Sequence, residues 1–267
     1  MKRDGHIHTP FCPHGSSDPF DLYIEKAIAN GFEEITFTEH APLPASFVDP
    51  TPEQDSGMKK AQLHHYFEQL QRLKESYKAQ IKINIGLEID YIVGYEAETR
   101  QFLNEFGPFL DDAILSVHFL KHDDNYYCID FSEEVYLHFA KQVGGIQAMY
   151  NQYYQTVQMS IQADLGPFKP KRIGHPTLIH KFQLAHALHI DDKKQIEALF
   201  MQMMENGYEL DFNSAGLSKP LCKEPYPPLD FVAFAQAIKL PIVFGSDAHT
   251  ANDLHQHYNE ISQKFNL

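Results

Sequence analysis

Asp4-Gly5-His6-Ile7-His8-Thr9-Pro10-Phe11-Cys12-Pro13-His14-Gly15, near the start of the chain, and Pro241-Ile242-Val243-Phe244-Gly245-Ser246-Asp247-Ala248-His249, near its end, decide how everything between them is read. Each carries an extended segment into potential metal ligands two residues apart. In a β-strand residues i and i+2 share a face, so His6 with His8, and Asp247 with His249, can each aim two donors at one point. Imidazole and carboxylate without thiolate suit a catalytic zinc, iron or manganese site.

The sequence between them alternates helical and extended patterns. A helix over residues 18–30, entered through Ser16-Ser17-Asp18-Pro19, stops at Gly31, and residues 34–38 form a strand that delivers Glu39 and His40. A proline-rich loop runs to Gly57 and could cover a site. Helix 60–79 is followed by strand 81–87 with Glu88 at its end, then by helix 95–106 and strand 113–117 with His118. Residues 121–144, aromatic among acidic, give no clear pattern. Helix 145–164, strand 171–174 leading to His175, helix 192–206, strand 208–212, helix 228–237, the Pro241 strand and a closing helix over 251–265 complete the chain.

Strand and helix alternating seven times indicate a parallel α/β sheet, and so many units favour a closed or nearly closed barrel, within a single domain spanning residues 1–267. In such a barrel the carboxyl ends of the strands share one face. His6, His8, His40, Glu88, His118, His175, Asp247 and His249 all lie at those ends. A lone histidine at a strand end is more often structural than a ligand; it is the joint pattern that points to metal. His64, His65, His138, His186, His189, His255 and His257 fall in or beside helices or the unassigned segment and read as solvated or structural, and the Tyr150, Tyr153 and Tyr154 cluster reads as packing.

The net charge of −14, from 22 Lys plus Arg against 36 Asp plus Glu, argues against a nucleic-acid partner but leaves a small phosphorylated substrate open. Cys12, Cys128 and Cys222 are widely spaced and include no CxxC, which points to a reducing cytoplasm. Cys12 itself reads as a small buried filler. No apolar stretch reaches membrane-spanning length, and Met1-Lys2-Arg3-Asp4 is not followed by a signal core. Oligomeric state is not set by these features.

His6-x-His8 with His14, Thr38-Glu39-His40, Gly86-Leu87-Glu88, Ser116-Val117-His118, Gly174-His175 and Ser246-Asp247-Ala248-His249 together resemble the polymerase and histidinol phosphatase (PHP) family. Phe11-Cys12-Pro13-His14-Gly15, Glu39-His40-Ala41-Pro42-Leu43-Pro44 and Asp211-Phe212-Asn213-Ser214-Ala215-Gly216-Leu217 look like its histidinol-phosphatase branch. The resemblance implies a distorted (β/α)7 TIM-like barrel with a trinuclear metal site, and L-histidinol phosphate of histidine biosynthesis as substrate. It implies a first ion on His6, His8, Glu88 and Asp247, a second on Glu88, His118 and His175, and a third on His14, His40 and His249, each being Zn, Fe or Mn. Where the branch often has an arginine for phosphate this chain has Ser218 and Lys219, so Lys219, Lys181 and Arg172 are the candidates for a phosphate clamp. Metal-activated water would attack phosphorus, Glu88 would fix the separation of two ions, and Asp247 or His249 would supply the leaving oxygen's proton. Glu39, Asp90, Asp130 and Phe131 are candidate walls for the substrate's imidazole and ammonium ends. The rivals are another phosphoesterase of the same family, an amidohydrolase, and a non-enzymatic metal-binding module.

Overall fold

The computed structural model describes residues 2–265. Seven parallel strands lie in the order β1 (Arg3–Ile7), β2 (Glu34–His40), β3 (Lys82–Asp90), β4 (Ile114–Ser116), β7 (Arg172–Ile173), β8 (Glu209–Asn213) and β9 (Ile242–Gly245). The sheet curls back on itself. The end of its first strand meets the segment just after its last through one parallel bridge, Ile7 to Ala248, reinforced by His8 N–H to Ala248 O at 3.0 Å and Asp247 N–H to His6 O at 2.8 Å. The result is the expected distorted (β/α)7 barrel.

Helices α1 (Phe20–Ala29), α2 (Leu63–Tyr77), α3 (Glu96–Phe106), α5 (Ile146–Gln162), α6 (Lys193–Glu205) and α7 (Leu229–Ala237) pack around it. Each turns a buried stripe inward, as Leu63, Tyr66, Phe67 and Leu70 do on α2, because apolar residues recur at helical spacing. Tyr150, Tyr153 and Tyr154 are buried in the same core.

Two segments differ from the sequence reading. Residues 121–144 contain an antiparallel hairpin, β5 (Phe119–His122) and β6 (Asn125–Cys128), followed by α4 (Glu133–Gln142). Its turn places Asp123 at φ 52°, a left-handed position filled by aspartate rather than by the Asn-Gly or Asp-Gly that signals a hairpin. The α4 start is capped by Ser132, whose Oγ accepts from Val135 N–H. The closing helix is reduced to a 3-10 turn, Ala251–Asp253, and the short α8 (Tyr258–Ser262), because His255 and His257 both take φ of 60°.

Inside the barrel, below the histidines, Arg172 is 1% exposed. Its Nη2 donates to Gly5 O at 2.9 Å and to Asp112 Oδ2 at 2.7 Å, and Asp112 also receives Arg3 at 2.6 Å. Gly5 makes room for it: a Cβ there would lie 2.7 Å from Arg172 Nη1 and 2.5 Å from Val243 Cγ1. Arg172 is the first residue of β7, and the starts of the strands face away from the ligand end. The assignment of Arg172 to a phosphate clamp is therefore corrected: its guanidinium is a plug in the barrel floor.

Candidate metal centre

Glu88 sits at the hub, 1% exposed, on the last turn-ward residues of β3. Its two oxygens face different groups. Oε2 lies 3.5 Å from His6 Nε2, 3.6 Å from His8 Nε2 and 3.1 Å from His40 Nδ1. Oε1 lies 2.9 Å from His175 Nε2 and 3.7 Å from His118 Nε2, and accepts from Ser116 Oγ at 2.6 Å. Asp247 Oδ1 approaches His8 Nε2 at 3.1 Å and His6 Nε2 at 3.7 Å.

These contacts gather groups that could each hold an ion: His6, His8 and Glu88 with Asp247 alongside, then Glu88, His118 and His175, and across the two His6, His175 and Asp247. Around the third position His40 and His249 converge with His8 and Cys12. His14 stands beside them, its ring centroid 5.1 Å from that of His40 and 5.3 Å from that of His249, with Nδ1 against Asp55 O at 3.1 Å. Asp247 and His249 converge by a route other than strand alternation. The strand ends at Gly245, and Asp247 turns back at φ 51°, as does His175 at φ 25°. Non-glycine residues in that region mark sites where the surrounding structure imposes a conformation.

The residues fit cations. His6 Nε2, His8 Nε2, His40 Nδ1 and Glu88 Oε2 are buried without a hydrogen-bond partner, which in a protein interior calls for an ion or water. The opposite ring nitrogens are fixed. His6 Nδ1 faces Asp211 Oδ2 at 2.9 Å, His8 Nδ1 faces Glu39 Oε1 at 3.2 Å, and His118 Nδ1 faces Asp90 Oδ1 at 2.7 Å. A carboxylate on Nδ1–H leaves the Nε2 lone pair aimed inward and raises its basicity. Burial opposes charge here, yet Glu88 is held well below the usual carboxylate range by His6, His118 and His40, and His118 is raised to about 10 against its own burial by Asp90 and Glu88. The cluster is thus rich in negative charge that a cation would neutralise.

Glu39, Asp90 and Asp211 were not recognised as ligand supports from sequence. Glu39 is wholly buried, and both it and Asp90 are spent on histidines, so neither is a free wall for substrate. Asp90 shares a strand face with Glu88, two residues on, but its partner His118 comes from the next strand; Asp211 has no local signal. Replacing Asp211 with asparagine is expected to weaken metal affinity by about 10–100-fold while leaving the fold intact, as measured by competition with a chromogenic chelator.

The cavity above the ligands has a volume of about 530 Å³, and Asp130, Phe131, Lys181, Lys219 and Tyr226 line it with the site histidines. That is room for a small metabolite. Lys181 Nζ pairs with Asp130 Oδ2 at 2.9 Å. The segment carrying Lys181 is held by His180, whose Nε2 meets Asp192 Oδ2 at 2.7 Å and whose Nδ1 meets Glu224 Oε1 at 2.6 Å. Burial lowers the His180 pKa, but the two carboxylates outweigh it and raise the value to about 9. A raised folded value means that this stabilisation is complete below about pH 6.5, declines above it and is gone once pH passes 9. The stability gap between the protein and a His180→Gln variant, on the order of 3 kcal/mol at pH 6, should accordingly close by pH 10 in urea titrations.

Among the described residues no helix is long and apolar enough to cross a membrane. The family model for the PHP domain matches residues 4–215. Histidinol-phosphatase of Bacillus subtilis is 46% identical over 266 residues, covering 99% of both chains, and the probable histidinol-phosphatase of Deinococcus radiodurans is 32% identical, covering 94% of this chain and 87% of its own. A crystal structure from Listeria monocytogenes bearing the histidinol phosphatase name hisK superposes with a TM-score of 0.92 at 40% identity, covering 97% of this chain and 99% of that one. The fold also matches, at a TM-score of 0.71 and 22% identity over 98% of this chain and 93% of the other, histidinol phosphate phosphatase from Lactococcus lactis complexed with zinc, L-histidinol and phosphate. With its histidines gathered on Glu88 at the open end of a seven-stranded barrel, and with these relatives along its whole length, the chain belongs to the PHP domain family.

Proposed function

We propose that this protein is a metal-dependent phosphomonoesterase that hydrolyses L-histidinol phosphate to L-histidinol and inorganic phosphate, in the cytoplasm and within histidine biosynthesis, with residues 1–267 acting as one domain. The observation that carries the chemistry is Glu88, whose two oxygens face two separate histidine groups. What supports the substrate is the 46% identity to the Bacillus subtilis histidinol-phosphatase over essentially the full chain, together with the ligands held by the Lactococcus lactis protein of the same fold.

His6, His8, Glu88 and Asp247 would hold one ion, Glu88, His118 and His175 a second, and His40, His249 and His14 a third. When bound, such ions supply an activated water near neutral pH and neutralise charge on the phosphoryl oxygens. The protein's own part is to fix and to select. Asp211, Glu39 and Asp90 orient the imidazoles, and Ser116 holds Glu88 by one oxygen. Asp247 accepts from Asn213 Nδ2 at 3.1 Å on one oxygen and faces His8 with the other, while His249 Nδ1 faces a carbonyl at 3.0 Å. Both therefore present acceptors to the site and act as ligands, and neither is placed to give the leaving oxygen its proton. Lys181 and Lys219 supply positive charge at the cavity wall for phosphate, as point charges rather than as a guanidinium fork. Asp130, ion-paired with Lys181 at 2.9 Å, would meet the substrate's ammonium end only by sharing that carboxylate as Lys181 turns to the phosphate.

The test is phosphate release from L-histidinol phosphate against a panel of other phosphomonoesters and a phosphodiester, with protein reconstituted separately with zinc, manganese and iron. Strong selectivity for histidinol phosphate is expected. Turnover of other phosphoesters with none of histidinol phosphate would keep the metal chemistry and discard the substrate.

A further inference from the structure

Cys12 does not behave as the apolar filler that its sequence context suggests. Its Sγ and the ligand nitrogens of His8, His40 and His249 all lie within 4.8 Å of one another, and the residue is 6% exposed. A filler sulfur would be surrounded by carbon; this one is surrounded by imidazole nitrogens. Two of these histidines carry a buried ring nitrogen without a hydrogen-bond partner, His8 Nε2 and His40 Nδ1. The other two cysteines meet oxygen, Cys128 Sγ facing Asp130 Oδ1 at 3.3 Å and Cys222 Sγ facing Glu224 O at 3.4 Å, whereas Cys12 meets the imidazoles of His14 and His8.

The backbone is built to deliver the thiol there. Cys12 N–H donates to Thr9 O at 2.9 Å, and Thr9 is anchored in turn through its N–H and Oγ1 to the buried Glu39 carboxylate. Gly15 packs directly on it: a Cβ at that position would stand 2.9 Å from Cys12 Cβ and 3.3 Å from Sγ, so any larger residue would displace the sulfur. A nitrogen lone pair can bind only one ion. His8 Nε2 is shared between Glu88 and Asp247, while His40, whose Nδ1 also faces Glu88 Oε2 at 3.1 Å, stands with Cys12 and His249 around the neighbouring position.

We propose that Cys12 supplies a thiolate ligand to the ion held by His40 and His249, making that position a mixed sulfur and nitrogen site among otherwise nitrogen and oxygen sites. On binding, the S–H bond breaks, a sulfur–metal bond forms and the proton passes to solvent; no electrons are transferred. Thiolate is a soft donor, so this position prefers zinc or ferrous iron to manganese, while the Glu88 positions accept any of the three. The inference rests on the metal-centre reading above and deepens it.

Cobalt(II) separates the two ideas. The full-length protein, stripped of metal and reloaded with cobalt(II), should show visible ligand-field bands from nitrogen- and oxygen-bound cobalt and, in addition, a thiolate-to-cobalt charge-transfer band in the near ultraviolet. Cys12→Ser should abolish the near-ultraviolet band completely and keep the visible ones. The Cys128→Ser/Cys222→Ser double variant, in which Cys12 is the sole cysteine, should retain both. A fully loaded wild-type protein with ligand-field bands but no charge-transfer band overturns the thiolate ligand and leaves the metal centre standing, as does a band that survives in Cys12→Ser. Absence of any cobalt spectrum overturns the metal centre and the thiolate together. The wild-type and double-variant arms decide the matter even if Cys12→Ser fails to fold.

Discussion

Glu88→Gln is expected to lower the rate of phosphate release by at least about 10³-fold, the scale on which a principal electrostatic group at a reacting centre contributes, and to release metal from both groups that Glu88 touches. The substitution keeps the size and shape of the side chain, so the barrel should stay folded. What changes is charge and direction. Oε2 now faces His6, His8 and His40, and Oε1 faces His175 and His118, so both oxygens must be acceptors toward cations at once. An amide offers one acceptor and one donor, and no charge. Its NH2 would point hydrogens at one histidine group while its oxygen served the other. Metal content by elemental analysis, read beside circular dichroism and turnover, checks this. A variant that keeps its full complement of metal and most of its turnover would remove Glu88 from the centre.

The second large effect belongs to stability. Asp112→Ala leaves Arg172 buried inside the barrel with its charge uncompensated, and breaking a buried pair in this way costs about 3–5 kcal/mol. Arg172 has no route to water at 1% exposure, and its remaining bond to Gly5 O is to a neutral group. Adding Arg172→Met removes the stranded charge and should recover much of the loss, because a pair replaced by apolar groups of similar volume is often near neutral. Urea denaturation of the single and double variants measures both terms. KM for substrate should be the same in the folded fraction of each, since this guanidinium lies in the floor and not at the phosphate; a raised KM without destabilisation would restore Arg172 to the clamp.

These two residues also show what a sequence can reveal about such a fold. Glu88 was legible because it ends a strand, and in a barrel every strand end contributes to one place. His6, His8, His40, His118 and His175 follow from the same rule. Arg172 was misread because it begins a strand only two residues long, so that its distance in sequence from His175 is small while its place in space is a layer below. Glu39, Asp90 and Asp211 escaped because supporting residues are defined by which nitrogen they meet, and that depends on neighbouring strands: Asp211 on β8 meets His6 on β1 across the barrel. Asp247 and His249 come together by a route that strand alternation does not describe, since a left-handed turn after the strand's end sets them side by side. The hairpin after His118 was invisible because its turn uses aspartates.

The barrel's closure gives the metal centre a second meaning. β1 is joined to the segment just after β9 by one parallel bridge and two flanking backbone hydrogen bonds, rather than by a strand ladder. His6 and His8 stand on one lip of that join, and Asp247 and His249 on the other. Ions bound between them would act as rivets across the seam, so the two ends of the chain would be clasped by the same atoms that would perform the chemistry. Metal binding would then tighten a ring that the backbone already closes, and loss of the ions would be expected to loosen this seam first.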